Sequence, residues 1–145
     1  MRIEQLNSIT SARLTIIGAD ATPRAAALLF SKPGIGLVVV CNGNGRAAGV
    51  LSKSDLVRHL ANPNPAETTV AALMSQPFVS CDPGDDVHSV WQTMASQSLQ
   101  NVPVLGAYSE PLGILDIRDA MKVLFEQEEL QERLLVNYVA GIGYQ

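Results

Sequence analysis

The second half of this chain repeats the first half. The segment Gly49-Val50-Leu51, with Asp55 shortly after it, recurs as Gly113-Ile114-Leu115, with Asp119 at the same distance after it. We call the constant offset that relates position 49 to position 113 the repeat spacing. At this spacing six positions are identical within 46 aligned ones: Val38/Val102, Val40/Val104, Gly49/Gly113, Leu51/Leu115, Asp55/Asp119 and Leu60/Leu124. An internal repeat indicates that one structural unit is used twice. Because a unit of about 60 residues buries little surface alone, we expect both copies to share one core.

Each half predicts the same order of elements: strand, helix, strand, strand, helix. The first half predicts strands at 14–17, 36–40 and 48–51 with helices at 24–30 and 52–60. The second predicts strands at 77–81, 101–105 and 111–115 with helices at 87–94 and 116–125. The inner strands are short apolar runs, and in the first half the Asn-Gly pairs of residues 42–45 indicate a hairpin between them. The predicted fold class is α+β, with two β-α-β-β-α repeats packed in pseudo-twofold symmetry around two related clefts.

This organisation divides the chain into three parts. The first repeat with its N-terminal segment spans residues 1–66, the second repeat spans 67–128, and a helical tail spans 129–145. In the tail, Leu130, Leu134 and Leu135 recur at helical spacing with glutamates around them. Such a stripe suits a partner protomer, so we expect a homodimer.

Charge and apolar patterning exclude several function classes. With 10 Lys plus Arg against 14 Asp plus Glu, the formal charge of −4 supplies no surplus of cations for nucleic acid. The longest apolar run, residues 25–30, is far shorter than the roughly 20 residues of a membrane span, and the start of the chain does not resemble a signal peptide. Two cysteines and two histidines without short spacing predict no metal site and no disulfide framework. We therefore expect a cytoplasmic protein.

The repeated motif has a structural explanation and a functional one. Helix capping alone explains it, by Ser52 with Asp55 and by Asp116 with Asp119. The duplication of the motif favours the functional explanation. Each copy stands at a predicted helix N-terminus, which attracts anions. A glycine on the preceding strand, Gly49 or Gly113, also lets a ligand approach the backbone closely.

Over nearly its whole length the chain resembles a tandem pair of cystathionine-β-synthase (CBS) domains, the Bateman module. The resemblance is carried by residues 69–83 (TVAALMSQPFVSCDP), by Val102-Pro103-Val104 and by the two Gly-apolar-apolar-x-x-x-Asp segments. The first repeat departs from the second in having Val39 where the second has Pro103. The resemblance implies a regulatory module whose clefts bind adenosine-containing ligands such as AMP, ADP, ATP, NAD or S-adenosylmethionine, without a catalytic cofactor.

The resemblance also implies roles for individual residues. In the first cleft Asp55 holds the ribose, Ser52 and Ser54 face phosphate, Gly49 allows close approach, and Thr15, Val38, Val39 and Val40 lie near the base. In the second cleft Asp119 holds the ribose, Gly113 allows close approach, and Val79, Ser80, Val102, Pro103 and Val104 lie near the base. Asp116 stands where the first repeat has Ser52, and its carboxylate repels phosphate unless Arg118 compensates.

Two other function classes compete with ligand sensing. One is an interaction or scaffold module of the same fold with degenerate clefts, which Ser52 and Asp55 argue against. The other is a small enzyme, for which no spacing pairs an acid with a base or activates a nucleophile. His59 and His88 fall on predicted helices as solvated or half-buried imidazoles, and Trp91 is expected in the core. Residues 43–49 are glycine-rich, but a strand follows where a dinucleotide-binding motif needs a helix.

Overall fold

The computed structural model of the chain describes residues 1–62 and 67–143. The predicted end of the first repeat at residue 66 and the last two residues of the tail lie outside the described residues. The first part contains a 3-10 helix Ile3–Leu6, α1 Asn7–Ala12, β1 Ile16–Gly18, α2 Pro23–Phe30, β2 Leu37–Cys41, β3 Ala47–Ser52 and α3 Lys53–Leu60. The second contains α4 Val70–Leu73, α5 Val87–Ser96, β4 Asn101–Leu105, β5 Pro111–Asp116 and α6 Ile117–Gly143.

The two antiparallel hairpins have the same register at the repeat spacing. Val40 pairs with Gly49 in the β2–β3 hairpin, and Val104 pairs with Gly113 in the β4–β5 hairpin. Both ladders become irregular directly after that pair. The structure therefore confirms the predicted duplication and the predicted α+β class.

The first strand of each half differs from the prediction. In the first half β1 begins at Ile16, later than the predicted start at Leu14, and runs parallel to β2. In the second half the predicted strand 77–81 is reduced to one parallel bridge between Cys81 and Val104. The reason is a missing donor: the Val39 amide donates to the Thr15 carbonyl over 2.9 Å, whereas its counterpart Pro103 has no amide hydrogen.

Each half also receives a segment from the other side of the pseudo-twofold axis. Residues 74–77 cross β3, where the Ser75 and Val50 amides and carbonyls bond each other at 2.8 and 3.1 Å. A Cβ added to Gly49 would lie 2.5 Å from the Met74 sulfur. At the equivalent place, a Cβ added to Gly113 would lie 2.8 Å from the Thr10 carbonyl oxygen. The two glycines therefore make room for the chain's own crossing segments.

The N-terminal segment, which the sequence groups with the first repeat, packs on the second. Ile3 and Leu6 are buried in the core cluster that contains Val87 and Leu115. The Val87 amide donates to the Met1 carbonyl over 2.9 Å. A second cluster around Val38 and Leu51 forms the core of the first half. The exchange brings residues 10–15 next to the second motif.

The helix after the second motif is longer than predicted. The sequence indicates a helix ending near residue 125 and a separate tail from 129, but α6 continues without a break from Ile117 to Gly143. Its outer half carries exposed apolar side chains, namely Leu130, Leu134, Leu135, Val136, Tyr138 and Val139. Within residues 1–62 and 67–143, no helix has the length and apolar character needed to cross a bilayer.

Candidate ligand-binding site

The first motif forms a capped helix start. Ser52 is the N-cap of α3, and its amide donates to Asp55 Oδ2 over 2.8 Å. In return the Ser52 hydroxyl accepts from the Asp55 amide over 3.3 Å. This reciprocal box stabilises the helix start and fixes the orientation of the carboxylate. The capping explanation drawn from the sequence is thus correct for this motif, and one carboxylate oxygen serves it.

The other oxygen of Asp55 is held loosely. Oδ1 accepts from the Ser75 hydroxyl over 3.4 Å and from Arg58 Nη1 over 3.3 Å. Both distances exceed those of strong charge-assisted hydrogen bonds, and the Arg58 side chain is 75% exposed. A hydroxyl pair from a ligand can replace these contacts at small cost, because solvent screens the exposed arginine.

A cavity of about 310 Å³ opens beside Asp55. The first repeat contributes Leu37, Val50, Ser52 and Asp55, the crossing segment contributes Ser75 and Pro77, and the second repeat contributes Phe78, Val79, Leu99, Asn101 and Pro103. Such a mixture of apolar walls and a few convergent polar groups is typical of small-molecule sites. Here the apolar side chains can cover a planar base.

A second cavity of about 460 Å³ continues past the start of α3. It shares Leu37, Ser52, Leu99 and Asn101 with the first cavity and adds Lys53 and Ser54. The first amides of a helix have no acceptor within the helix, and the helix dipole favours an anion there. The Lys53 ammonium and the serine hydroxyls are suited to the same anion.

The structure corrects which strand residues line the Asp55 cavity. Val38, Val39 and Val40 do not line this cavity; Val38 and Val40 lie in the core of the first half, and Val39 packs with Ile114. Thr15 is also outside it. Val79 and Pro103, assigned from the sequence to the second cleft, line the first one. The reason is the crossing: each cleft combines the helix start of one repeat with strand residues of the other.

The remaining residues that the sequence assigns to the second cleft are dispersed. Val102 and Val104 are buried in the core of the second half. Ser80 lines a separate cavity of about 440 Å³ beside the start of α5. Gly49 and Gly113 face the crossing segments, which occupy the space assigned to a ligand.

In the second motif both aspartates form ion pairs with arginines. Arg13 donates to both oxygens of Asp119, from Nε over 2.5 Å and from Nη2 over 3.2 Å. Arg118 binds the buried Asp116 in the same two-point manner, at 3.0 and 2.8 Å, and its amide donates to Asp116 over 2.8 Å. The predicted compensation of Asp116 by Arg118 therefore exists as an ion pair, but the predicted Asp116–Asp119 capping box does not occur.

The two arginines and two aspartates of the second motif stabilise each other's ionised forms. Burial alone would raise the pKa of Asp116, but the hydrogen bonds and charge of Arg118, together with the charge of Arg13, hold that pKa below its usual value. The hydrogen bond to Asp119 raises the pKa of the Arg13 guanidinium. Two carboxylates and two guanidiniums thus form a cluster without net charge beside β5.

Sequence reasoning missed the residues contributed by the crossing segments. Ser75, Pro77 and Phe78 line the Asp55 cavity, and Arg13 binds Asp119. The repeat contains a signal for them, because Arg13 and Pro77 are equivalent positions at the repeat spacing. Applying the spacing beyond the matched segments would have placed Arg13 at the second motif.

The other candidates from the sequence have structural roles. Trp91 packs against the core of the second half, as predicted, and its ring lies 5.7 Å from that of His88. Its Nε1 has no hydrogen-bond partner among the described residues. In residues 1–62 and 67–143, no three His, Cys, Asp or Glu side chains are grouped in a way that could hold a metal ion.

Known proteins share this fold and its duplication. The CBS domain family profile matches the chain twice, over residues 6–62 and 70–126. The uncharacterized protein MK0525 of Methanopyrus kandleri is 25% identical over 116 residues, which cover 77% of this chain and 59% of that protein. An uncharacterized 17.7 kDa protein of Acidianus ambivalens is 19% identical over 139 residues, covering 96% and 84%. The chain thus spans less than two thirds of the Methanopyrus relative.

Solved structures agree in fold. The CBS domain pair of protein MJ0100 matches with a TM-score of 0.73 at 19% identity, covering 88% of this chain and 98% of that one. The CBS-domain containing protein ATU1752 of Agrobacterium tumefaciens matches with a TM-score of 0.68 at 25% identity, covering 84% and 97%. The cytosolic domain of the Mg²⁺ channel MgtE matches with a TM-score of 0.65 at 23% identity, covering 77% and 45%. Because the two profile matches span most of the sequence, the chain belongs to the CBS domain family and contains a tandem CBS pair.

Proposed function

We propose that the chain is a non-catalytic regulatory module that binds an adenosine-containing ligand in the Asp55 cleft. The observation that carries the proposal is the meeting of a loosely held carboxylate, a helix start and apolar walls around one opening. The fold neighbours support it: the MgtE cytosolic domain forms a complex with ATP, and the MJ0100 CBS pair forms one with 5′-methylthioadenosine and S-adenosyl-L-methionine. The ligand class proposed here is AMP, ADP, ATP, NAD or S-adenosylmethionine.

Each part of such a ligand has a counterpart in the cleft. Asp55 Oδ1 accepts from the ribose hydroxyls in place of Ser75 and Arg58. The base lies against Val79 and Pro103. Phosphate, where the ligand has it, lies at the start of α3, where Lys53 supplies a positive charge.

A thermal-shift panel of these five ligands tests the proposal. Binding to the folded state alone at 100 times the dissociation constant adds about 2.7 kcal/mol to the free energy of unfolding. For a chain of this size, that gain corresponds to a rise in Tm of roughly 5–10 °C. If none of the ligands moves the melting curve at millimolar concentration, the scaffold function with degenerate clefts replaces the sensing function.

We further propose that the module works as a homodimer. Exposed apolar side chains follow each motif, with Val57 63% and Leu60 75% exposed on α3 and Phe125 65% exposed on α6. Val57 and Leu60 lie one turn apart on the same helix and therefore form a joint apolar surface, which suits contact with a second copy of the chain. Light scattering coupled to size exclusion should give twice the mass of the chain, and Phe125→Glu should shift it toward the monomer. A monomeric wild type would contradict this assembly.

The same proposal places the module in the cytoplasm, where it transmits the presence of its ligand to a protein that it regulates. Both cysteines are free and buried. Burial raises the pKa of the Cys81 thiol to about 12, with smaller contributions from Asp85 and Asp82, so this thiol stays protonated at neutral pH. Buried, unreactive thiols suit a reducing compartment.

A further inference from the structure

We propose that Arg13 is an internal occupant of the second cleft, which excludes an adenosine ligand from it, so that the CBS pair binds one ligand instead of two. The proposal rests on the proposed function in one respect: the ligand of both clefts is assumed to carry adenosine. It concerns a residue that lies outside both repeated motifs.

The repeat fixes the place of Arg13. Residues 10–13 pass Gly113 as residues 74–77 pass Gly49, so Arg13 takes the place that Pro77 takes in the first cleft. Pro77 forms part of the wall of the open Asp55 cavity. A proline has no group that can bond the nearby aspartate, whereas the arginine at the equivalent position has five donors.

All three nitrogens of the Arg13 guanidinium make a hydrogen bond. Nε and Nη2 bind the two oxygens of Asp119, and Nη1 donates to the Gly34 carbonyl over 3.4 Å while lying 3.9 Å from Asp116 Oδ2. The Arg13 side chain is only 27% exposed and that of Asp119 is 19% exposed. A two-point pair of this kind is strong and directional, so ribose hydroxyls would have to displace a charged partner from both oxygens.

Apolar residues equivalent to the wall of the first cleft are also present in the second half of the site. Leu14 and Leu37 pack with the buried Val39 and Ile114. At the repeat spacing, their counterparts are Phe78, Asn101, Pro103 and Val50, which all line the open cavity. The acceptor and the apolar residues are therefore present at the equivalent places, and Arg13, bound to both oxygens of Asp119, blocks the ribose position.

Counting the bound ligands tests this inference. The probe is adenosine itself, because it carries base and ribose but no phosphate for Asp116 to repel. Calorimetric titration of the full chain should give one equivalent in the wild type and two in Arg13→Ala. Arg13→Gln, which keeps more of the side-chain packing, should also give two and covers the case in which Arg13→Ala fails to fold. Arg24→Ala removes an exposed arginine of α2 that lines neither cavity of the first cleft, and it should stay at one equivalent.

Double variants assign the sites. Arg13→Ala with Asp55→Asn should return to one equivalent, and so should Arg13→Ala with Asp119→Asn. Two equivalents in the wild type would overturn the inference, and so would one equivalent in the wild type together with only one in both Arg13 variants. No binding in the wild type would overturn the proposed function of the Asp55 cleft alone, and one equivalent in Arg13→Ala would then still support the role of Arg13. No binding in either protein would overturn both.

Discussion

The two clefts of this CBS pair have the same backbone framework and different occupants. Asp55 gives one oxygen to the cap of α3 and leaves the other with two long hydrogen bonds, one of them from the exposed Arg58. Asp119 gives both oxygens to Arg13, in a contact that is largely shielded from solvent. The strand register around both motifs is the same. Availability of the motif aspartate is therefore decided by a residue outside the motif.

This contrast shows what duplication conserves and what it leaves free to change. Hairpin register, the glycine at the crossing and the helix start recur because the packing of each half depends on them. The residue at the end of each crossing segment, Pro77 or Arg13, lies beside the motif and outside the three core clusters, and it differs between the two halves. One such change is enough to make two equivalent clefts unequal.

The largest effect is expected from Asp55→Asn. The amide oxygen can still accept from the Ser52 amide and so keeps the cap, while the NH₂ group takes the place of the acceptor for ribose. Losing hydrogen bonds to a charged group costs roughly 1.5–3 kcal/mol, so affinity for the best ligand of the panel should fall by about one to two orders of magnitude in calorimetric titration.

The matched control is Asp86→Asn, which changes another helix-capping aspartate. Asp86 accepts from the Ser89 amide over 3.0 Å at the start of α5 and does not line the Asp55 cavity. Its affinity for ligand should equal that of the wild type. Equal losses in both variants would mean that the Asp55 effect comes from capping instead of ligand contact.

The second prediction compares the space at the two glycines that the crossing segments pass. A Cβ at Gly113 would lie 2.8 Å from the backbone of Thr10, whereas a Cβ at Gly49 would first meet the flexible Met74 side chain. Overpacking costs about 1–3 kcal/mol. We expect Gly113→Ala near the upper end and Gly49→Ala near the lower end, measured by denaturant unfolding. A larger loss in Gly49→Ala would indicate that the Ser75 carbonyl, 3.0 Å from that Cβ, controls the fit.

The sequence predicts the elements that depend on residues close together along the chain. Asn-Gly pairs predicted the first hairpin, the repeat predicted the second, and the capping residues predicted the start of α3 at Ser52. The reduced first strand of the second half was not predicted. Its cause was visible as the exchange of Val39 for Pro103, but the consequence requires knowing that this amide donates to a neighbouring strand.

The site is predictable only in part, because it is assembled across the pseudo-twofold axis. The helix-start residues Ser52, Ser54 and Asp55 lie at the cavities as the sequence indicates. The opposite wall comes from the other repeat, and no local pattern reports which half supplies it. The β-branched strand Val38–Val40 was assigned to the ligand, but its apolar side chains are needed in the core.

The third prediction uses pH to probe the ion pairs of the second motif. The pKa of folded Asp116 lies below the value near 4 of an unfolded aspartate. Its charged form therefore stabilises the fold above pH 4, and that contribution is lost as pH falls through the folded pKa. Asp116→Asn should lower Tm by a few degrees at pH 7, and the difference from the wild type should shrink below pH 4. If the difference in Tm stayed the same at every pH, the charge of the Asp116 carboxylate would not be what stabilises the fold.

The fourth prediction separates phosphate repulsion from blockage. In the Arg13→Ala background, Asp116→Ser removes a negative charge from the start of α6 and leaves Arg118 free to bind phosphate. Affinity for ATP at the second cleft should rise by about fivefold, which corresponds to about 1 kcal/mol for one screened charge. The gain should decrease at high salt. In the presence of Arg13, Asp116→Ser should give no second ATP site, and a second site there would show that Asp116 alone closes the cleft.

The smallest effect is expected from Pro103→Val, which tests why the first strands of the two halves differ. The substitution supplies the amide that Val39 uses to bond the Thr15 carbonyl, and Val79 offers the equivalent carbonyl. A new hydrogen bond contributes about 0.5–1.5 kcal/mol, while losing proline destabilises by about 0.4–1 kcal/mol through the unfolded chain. Tm should therefore hardly change, but hydrogen exchange should show the new amide at position 103 protected as strongly as that of Val39. Rapid exchange there would mean that the second half lacks its first strand for a reason other than the missing donor, such as the packing of residues 77–80 around the Asp55 cavity.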